Sequence, residues 1–534
     1  MTDQFDYVIV GSGPAGSVLA DRLTEDGKTR VCVLEAGIPD TSFYIRIPAG
    51  FVKTLYDPRS VWGFNCEPGP GIAGRAMRLP QGRLVGGSSS LNGMVYNRGQ
   101  AEDFDDWEAM GCTGWGYRDV LPYFRRSERR VGPGDDQYRG RFGAFPVTDH
   151  DWPSPLCDAF ITGATELGIP RNDDYNGASQ EGAGYFQRNI LNGRRVSAAD
   201  AFLHPAVRRG GVALRTNCQA TQIILDGKRA TGVRYRQGGV ERTVMAGREV
   251  IVSAGAANSP KLLQLSGIGP SQVLHDAGVA VVHHLPGVGE NLRDHLTTRI
   301  VARAKNASTI NEVSRGWRLG AEMLKWLVGQ PSILSLCPSL VHVFCKSDPG
   351  LPRTDTQVLF TPGSYQDGKI YVLDELPGMS AGARSQRPFS AGWVRIRSAD
   401  PMADPMLQPN YLADERDQAG MVVALKLARR LLQTDAMRPY VDQETLPGPG
   451  VTTDDEWLDY ARARTGTAYH LGGSCRMGPA AAPDAVVGTD LRVHGIERLR
   501  VVDASVMPML PSANTQAATL MIAEKAADAI RGAA

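Results

Sequence analysis

No apolar run in this 534-residue chain reaches the roughly 18 residues that a membrane-crossing helix requires, which excludes an integral span. Charge of one sign is equally scarce: 58 Lys and Arg stand against 57 Asp and Glu, a net +1 without a long basic or acidic block. Nothing therefore marks a nucleic-acid or anionic-membrane surface. The eight cysteines (Cys32, Cys66, Cys112, Cys157, Cys218, Cys337, Cys345 and Cys475) include no C-x-x-C pair, so free thiols in a reducing compartment are expected. Internal repeats and low-complexity tracts are absent too. Met1-Thr2-Asp3-Gln4 runs directly into an apolar stretch, with no basic region or cleavage site before it. What remains is an ordinary globular composition, 42% hydrophobic and 22% charged, long enough for two or three domains.

The first thirty-five residues carry the strongest positive signal. Phe5-Asp6-Tyr7-Val8-Ile9-Val10 reads as a buried strand, Gly11-Ser12-Gly13-Pro14-Ala15-Gly16 as a glycine turn opening a helix, and Arg30 to Leu34 as a second strand ending at Glu35. Together they form a dinucleotide-binding βαβ unit. Gly11 makes the tight turn, Gly13 lets backbone approach a pyrophosphate at the helix N-terminus, and Gly16 lets helix and strand pack closely. Glu35 is placed to accept hydrogen bonds from an adenosine ribose. Context matters, because 60 glycines among 534 residues produce G-x-G-x-x-G about once by chance. Gly69-Pro70-Gly71-Ile72-Ala73-Gly74 is such a chance match, with neither a strand before it nor a helix after it, and it reads as a surface turn.

Residues 1–150, 203–297 and 463–534 read as nucleotide-domain material, and 151–202 with 298–462 as an inserted substrate domain. The first group holds a second glycine cluster, Gly86-Gly87-Ser88-Ser89-Ser90, and the strand-like Gln222 to Leu225 and Glu249 to Ser253. It ends in a strand, Leu499 to Asp503, and a helix, Ala517 to Ile530, with Leu520, Ala523, Ala527 and Ile530 on one face. The inserted segments contain candidate strands such as Gly392 to Arg397.

Longer stretches resemble the glucose-methanol-choline (GMC) family of flavin oxidoreductases. Gly82 to Met94, continuing to Tyr96 and Arg98-Gly99, is similar to that family's first signature, and Gly255 to Gly269 to its second. Leu285-Pro286-Gly287-Val288-Gly289-Glu290-Asn291-Leu292 with Asp294-His295, Tyr469 to Gly478, Asp503-Ala504-Ser505 and Asn514-Thr515 extend the likeness over nearly the whole chain. Within the family, Asn176 to Gly184 and Arg194 to Leu203 look most like the bacterial alcohol, sorbose and choline dehydrogenase branch. The resemblance implies an α/β fold: a Rossmann-like FAD-binding domain with an inserted α+β substrate domain built on an antiparallel sheet. It also implies FAD as cofactor and alcohol oxidation as the chemistry.

That chemistry removes a proton from oxygen and a hydride from carbon. By resemblance His470 is the general base, or the imidazole that stabilises the alkoxide, and Asn514 holds the substrate oxygen. Asn514 also precedes the last helix and suits its N-cap; His295 is the structural runner-up among the histidines. Cofactor contacts are expected from Gly11, Gly13, Gly16, Glu35, Ala36, Arg83, Gly86, Gly87, Ser88, Asn92, Gly93, Met94, Val95, Ala220, Asp503, Ala504, Thr515 and Gln516. The last helix would stabilise negative charge on the reduced flavin. Some relatives attach FAD through a histidine where this chain has Leu91, so noncovalent FAD is expected, with no metal. Leu471, Gln516 and Ala391 depart from residues common in the family.

The expected activity is oxidation of a primary alcohol or polyol, with electrons passed to a quinone- or dye-type acceptor, in the cytoplasm or peripheral to the inner membrane. Alternatives are an oxidase returning electrons to O2, a lyase that holds FAD without using it in turnover, and a noncatalytic FAD-binding protein.

Overall fold

The computed structural model describes residues 3–366 and 372–532. Its first strand, Gln4–Val10, lies between Val31–Leu34 and the end of the long strand Val240–Val252, parallel to both. Val8, Ile9, Val31 and Val33 are fully buried, as befits strands covered on both faces. Val212–Arg215 extends the parallel sheet on one side and Leu499–Val501 on the other. The front half of Val240–Val252 peels away into an antiparallel meander with Arg229–Gln237 and Cys218–Asp226. Five parallel strands drawn from four distant stretches thus share one sheet.

The glycine turn behaves as its chemistry dictates. Gly11 has φ 103°, and a Cβ there would lie 2.3 Å from the Ser253 carbonyl oxygen; one on Gly16 would lie 2.0 Å from the Gly11 oxygen. The helix Pro14–Leu23 begins with proline at its first turn, where no N–H is missed. It packs against the terminal helix, Thr515–Gly532, whose expected face (Leu520, Ala523, Ala527, Ile530) is buried. Arg22 of the first helix bridges to Glu524 of the last at 2.8 Å, and Arg126 reaches the same buried carboxylate at 3.1 Å.

A second sheet runs in the order Val441–Leu446, Leu296–Ala304, Gly378–Ser385, Thr356–Thr361, Val341–Cys345, Gly182–Tyr185, antiparallel throughout. Its side chains alternate. Leu296, Ile300 and Ala302, with Val358, Phe360, Met379, Ala381 and Ala383, form a dry face under the helices Glu415–Leu432 and Pro155–Glu166. Thr297, Arg299, Leu359, Thr361 and Arg384 point the other way, toward the first domain, and line a cavity there.

One sequence expectation needs correcting and another is refined. The strand expected over Gly392 to Arg397 spans Gly392–Arg395 and joins neither large sheet; it pairs with Glu290–Leu292 and Met406–Gln408 in a three-stranded sheet of its own. The chance glycine match at 69–74 is a turn as expected, with Pro70, Ala73 and Gly74 exposed, but it is anchored inward. It holds a short 3₁₀ turn, Pro70–Ile72, with Gly71 and Ile72 buried; a Cβ on Gly71 would sit 1.9 Å from the Tyr411 carbonyl oxygen, so the glycine is there for packing. All eight cysteines are buried and unpaired. Among the described residues no helix is long and apolar enough to cross a membrane.

Candidate active site

A continuous cavity of about 350 Å³ runs from the edge of the glycine turn to the polar face of the second sheet. Three helices begin on its wall, at Pro14, Gly255 and Thr515, so three positive dipole ends face the same space, with the Gly255 N–H already donating to Asp503 Oδ2 at 2.9 Å. That is an environment built for a bound anionic group.

Most of the expected cofactor residues stand on this wall: Gly11, Gly13, Glu35, Ala36, Gly87, Ser88, Asn92, Gly93, Met94, Val95, Ala220, Asp503, Ala504, Thr515 and Gln516. Gly16, Arg83 and Gly86 do not. Gly16 serves the helix–strand contact, Arg83 stacks its guanidinium 4.5 Å from the Trp62 ring centroid, and Gly86 (φ 86°) makes the turn that precedes Gly87. Glu35 is more committed than expected. Its Oε2 accepts from the backbone N–H and the hydroxyl of Ser12 (3.0 and 2.6 Å), and its Oε1 from the Gly37 N–H (2.8 Å). Of the roughly four acceptor positions on a carboxylate, about one is left for a ribose.

Gly13 gives the clearest test of whether FAD fits. Its backbone is ordinary, φ −64°, and a Cβ there would find no protein atom closer than 4.0 Å. Unlike Gly11 and Gly16, this glycine is not required by the protein around it. The space it spares belongs to the cavity, and a pyrophosphate at the helix N-terminus occupies such space. At the other end, Asn92 Nδ2 donates to Gln516 Oε1, and Leu91 lines the wall where a covalent histidine would have to stand. The residues present fit FAD.

His470 and Asn514 meet at the cavity wall, with Asn514 Nδ2 3.0 Å from His470 Nε2. Asn514 lies immediately before the last helix, and its Oδ1 is buried without a partner among the described residues. Behind His470, its Nδ1 is 3.1 Å from His295 Nδ1, and His295 Nε2 is 2.7 Å from the Gln386 carbonyl oxygen. The hydrogen bonds assign the protons. A carbonyl only accepts, so His295 carries its proton on Nε2. Burial, followed by the charge of Arg384, pushes His295 down to about 3, so the ring is neutral and its Nδ1 is a lone pair. His470 must then donate from Nδ1, which leaves its Nε2 as a lone pair facing Asn514 and the cavity. Burial, then Arg384, then His295 hold His470 well below the ordinary histidine range, so it too is neutral.

One carboxylate organises the loop that carries His470. Asp294 Oδ1 accepts from the His470 backbone N–H (2.7 Å), and Oδ2 accepts from Thr467 (2.5 Å) and Tyr411 (2.6 Å). Burial nevertheless pushes it up to about 6. Tyr469, next to the histidine, is held at φ 65°, a left-handed conformation costly for an aromatic residue.

Several cavity residues carry no local motif: Thr297, Arg299, Thr361, Tyr365 and Arg384 from the second sheet and its loops, and Phe51, Trp62 and Phe64 from the N-terminal part. Lys261 also lines the cavity, pushed down to about 8 by burial. Only strand pairing could have placed Arg384 beside Thr297, since 87 residues of chain separate them.

The chain matches the two models described as GMC oxidoreductase over residues 5–297 and 388–523. It is 41% identical to the mitochondrial choline dehydrogenase of Homo sapiens over 99% of this chain and 90% of that one. It is also 41% identical to the oxygen-dependent choline dehydrogenase of Rhizobium etli, over 99% and 96%. Among solved structures, pyridoxine 4-oxidase from Mesorbium loti superposes with a TM-score of 0.88 at 32% identity, covering 98% of each chain. With both parts matched and such likeness over almost the full length, the chain belongs to the GMC oxidoreductase family and is an FAD-dependent oxidoreductase acting on alcohols.

Proposed function

We propose that the chain oxidises a primary alcohol or polyol to the carbonyl compound, with His470 as general base and Asn514 as the group that holds the reacting oxygen. The observation that carries this is the contact between the His470 Nε2 lone pair and Asn514 Nδ2 at the cavity wall. A substrate hydroxyl placed between them donates its proton to Nε2 and accepts from Nδ2, replacing their direct contact. Holding the oxygen at two points fixes the direction of its C–H bond. As the proton moves to His470, the Asn514 amide stabilises the charge that builds on oxygen. Bound FAD supplies the hydride acceptor. The cavity residues from Gly11 to Ala36, Gly87 to Val95, Ala220, Asp503–Ala504 and Thr515–Gln516 would hold it, noncovalently.

The electrons then pass to a quinone- or dye-type acceptor or to O2. Choline, for which the two curated relatives are named, is a primary alcohol and one candidate substrate. Anaerobic mixing with a panel of alcohols is the test. Bleaching of the flavin band supports the reading, whereas product without bleaching makes the protein a lyase. His470→Ala should slow that bleaching by about 100-fold or more, as for a lost general base, while flavin stays bound; near-normal reduction would reject the assignment.

A further inference from the structure

The cavity-facing side of the second sheet carries positive charge that no described carboxylate contacts directly. Thr298 pairs with Ala383 and Arg299 with Gly382, so Thr297 and Arg384 are the next opposed residues on the face that lines the cavity. Arg384 is 3% exposed. Its Nε donates to Gln357 Oε1 at 2.5 Å, and its two terminal nitrogens make no hydrogen bond or ion pair with any described residue. Arg299, one pleat further along, likewise has no ion-pair partner among the described residues.

Among the described residues no carboxylate stands ready at this end. The described acidic residues on the cavity wall are Glu35, used by Ser12 and Gly37, and Asp503, used by Gly255, Ser259 and Ser505; both belong to the nucleotide domain. Asp294, behind the wall, offsets part of the Arg384 charge from a distance, but its oxygens are engaged by Thr467, Tyr411 and the His470 N–H and it makes no ion pair with Arg384. A buried guanidinium without a contacting counter-charge is expensive, and a ligand that brings the opposite charge into contact relieves that cost. The two terminal nitrogens of Arg384 offer the parallel N–H pair that matches a carboxylate end-on. A quaternary ammonium is held by aromatic faces together with a carboxylate; the wall has the rings of Phe51, Trp62, Phe64 and Tyr365, but no described carboxylate is free to serve the cation.

We propose that this site takes an alcohol bearing a carboxylate, which Arg384 binds through its terminal nitrogens with Arg299 adding to the field, and that it disfavours a quaternary ammonium alcohol. The proposal rests on the alcohol-oxidation reading of the same cavity. In turnover the O–H and one C–H bond of the CH2OH group break and C=O forms, the proton going to His470 and the hydride to the family's flavin; the carboxylate is unchanged. Because Arg384 is one cause of the weak basicity of His470, a bound anion also restores basicity to the base.

The experiment measures anaerobic flavin bleaching of the holoenzyme by 4-(hydroxymethyl)benzoate and 6-hydroxyhexanoate against benzyl alcohol, 1-hexanol and choline. Each carboxylate should exceed its neutral counterpart by about tenfold or more in second-order rate constant, with choline slowest, as a charge-assisted hydrogen-bond pair predicts. In Arg384→Met the ratio of acid to neutral alcohol should collapse toward one, and Arg384→Lys should recover part of it. Binding of non-reacting benzoate and benzyltrimethylammonium to the wild-type protein, read from the flavin absorbance shift, decides the matter even if the variants do not fold; benzoate should bind at least tenfold tighter. Choline or neutral alcohols outpacing the acids, a ratio that survives Arg384→Met, or tighter binding of the ammonium ion would overturn the proposal while leaving alcohol oxidation standing. Failure of every alcohol to bleach the flavin would instead sink the alcohol reading, and benzoate binding would still report on Arg384.

Discussion

His295 makes no contact with the reacting hydroxyl in the proposed mechanism, yet its removal should slow flavin reduction. Its Nδ1 lone pair is the acceptor that keeps the His470 proton on Nδ1 and so leaves Nε2 free. In His295→Leu the His470 N–H loses that partner inside a buried site, at a cost of about 1–3 kcal/mol. The ring escapes the cost by moving its proton to Nε2 or by turning away, and either change removes the base. At about 1.4 kcal/mol per factor of ten, the competent form falls by roughly 5- to 150-fold, and the anaerobic rate constant for flavin bleaching should fall with it.

A structural role alone would give a similar loss, so the conservative variant decides. In His295→Gln the carboxamide oxygen can accept from His470 Nδ1–H while its NH2 donates to the Gln386 carbonyl, reproducing both hydrogen bonds. Gln should therefore recover most of the rate that Leu loses, with both variants retaining flavin and a wild-type absorbance spectrum. A Leu variant that reduces flavin at the normal rate would refute the relay. So would a Gln variant as slow as Leu in a well-folded protein.

Three further outcomes follow from the same geometry. Acid precipitation should release yellow flavin into the supernatant, because Leu91 offers no nucleophile for a covalent bond; colour kept in the pellet would refute this. Gly13→Val should fold with the unfolding midpoint of the flavin-free wild type but purify without flavin, since a Cβ at 13 meets no protein atom within 4.0 Å and extends into the cavity; full flavin occupancy would contradict the pyrophosphate reading. His342, fully buried and pushed down to about 3 by burial, must shed its proton on folding, so its contribution is complete above the unfolded value of 6.5 and is lost as pH falls toward 3. By pH 5 the loss is about 2 kcal/mol. His342→Phe, placed among Tyr175, Phe186 and Phe344, should shrink the stability difference between pH 7 and pH 5 by that amount in urea titrations. An unchanged difference would mean that the imidazole is not held neutral.

The sequence was most legible where chemistry is local. The βαβ unit could be read because its strand, glycines and helix start lie within a few residues of one another, and the last helix because its apolar face repeats. The pairing of His470 with Asn514 came only through family likeness, since 44 positions separate them and neither is unusual alone. Arg384, Arg299 and Thr297 were invisible: each is one polar residue in a strand whose partner strands lie far along the chain, and only the register aims them at the cavity. The turn at 69–74 was legible as a turn, but not the burial of Gly71, which is required by Tyr411, more than 300 residues later.

The placement of charge around His470 joins these pieces. Asp294 and Arg384 are both buried within electrostatic reach of the histidine pair, yet they make no salt bridge with each other. Asp294 spends its lone pairs on the backbone and hydroxyls that hold the 467–470 loop, which keeps Tyr469 in its left-handed conformation and His470 at the wall. Burial pushes Arg384 down to about 10, with Asp294 acting the other way, still far above any working pH, so the cation persists with no described carboxylate in contact with it. Had the two been paired directly, the loop would lose its anchor and the cavity its charge. Keeping them apart leaves one ion for architecture and the other for whatever enters, so the sign of the charge a substrate carries can govern both how well it binds and how basic His470 becomes once it is bound.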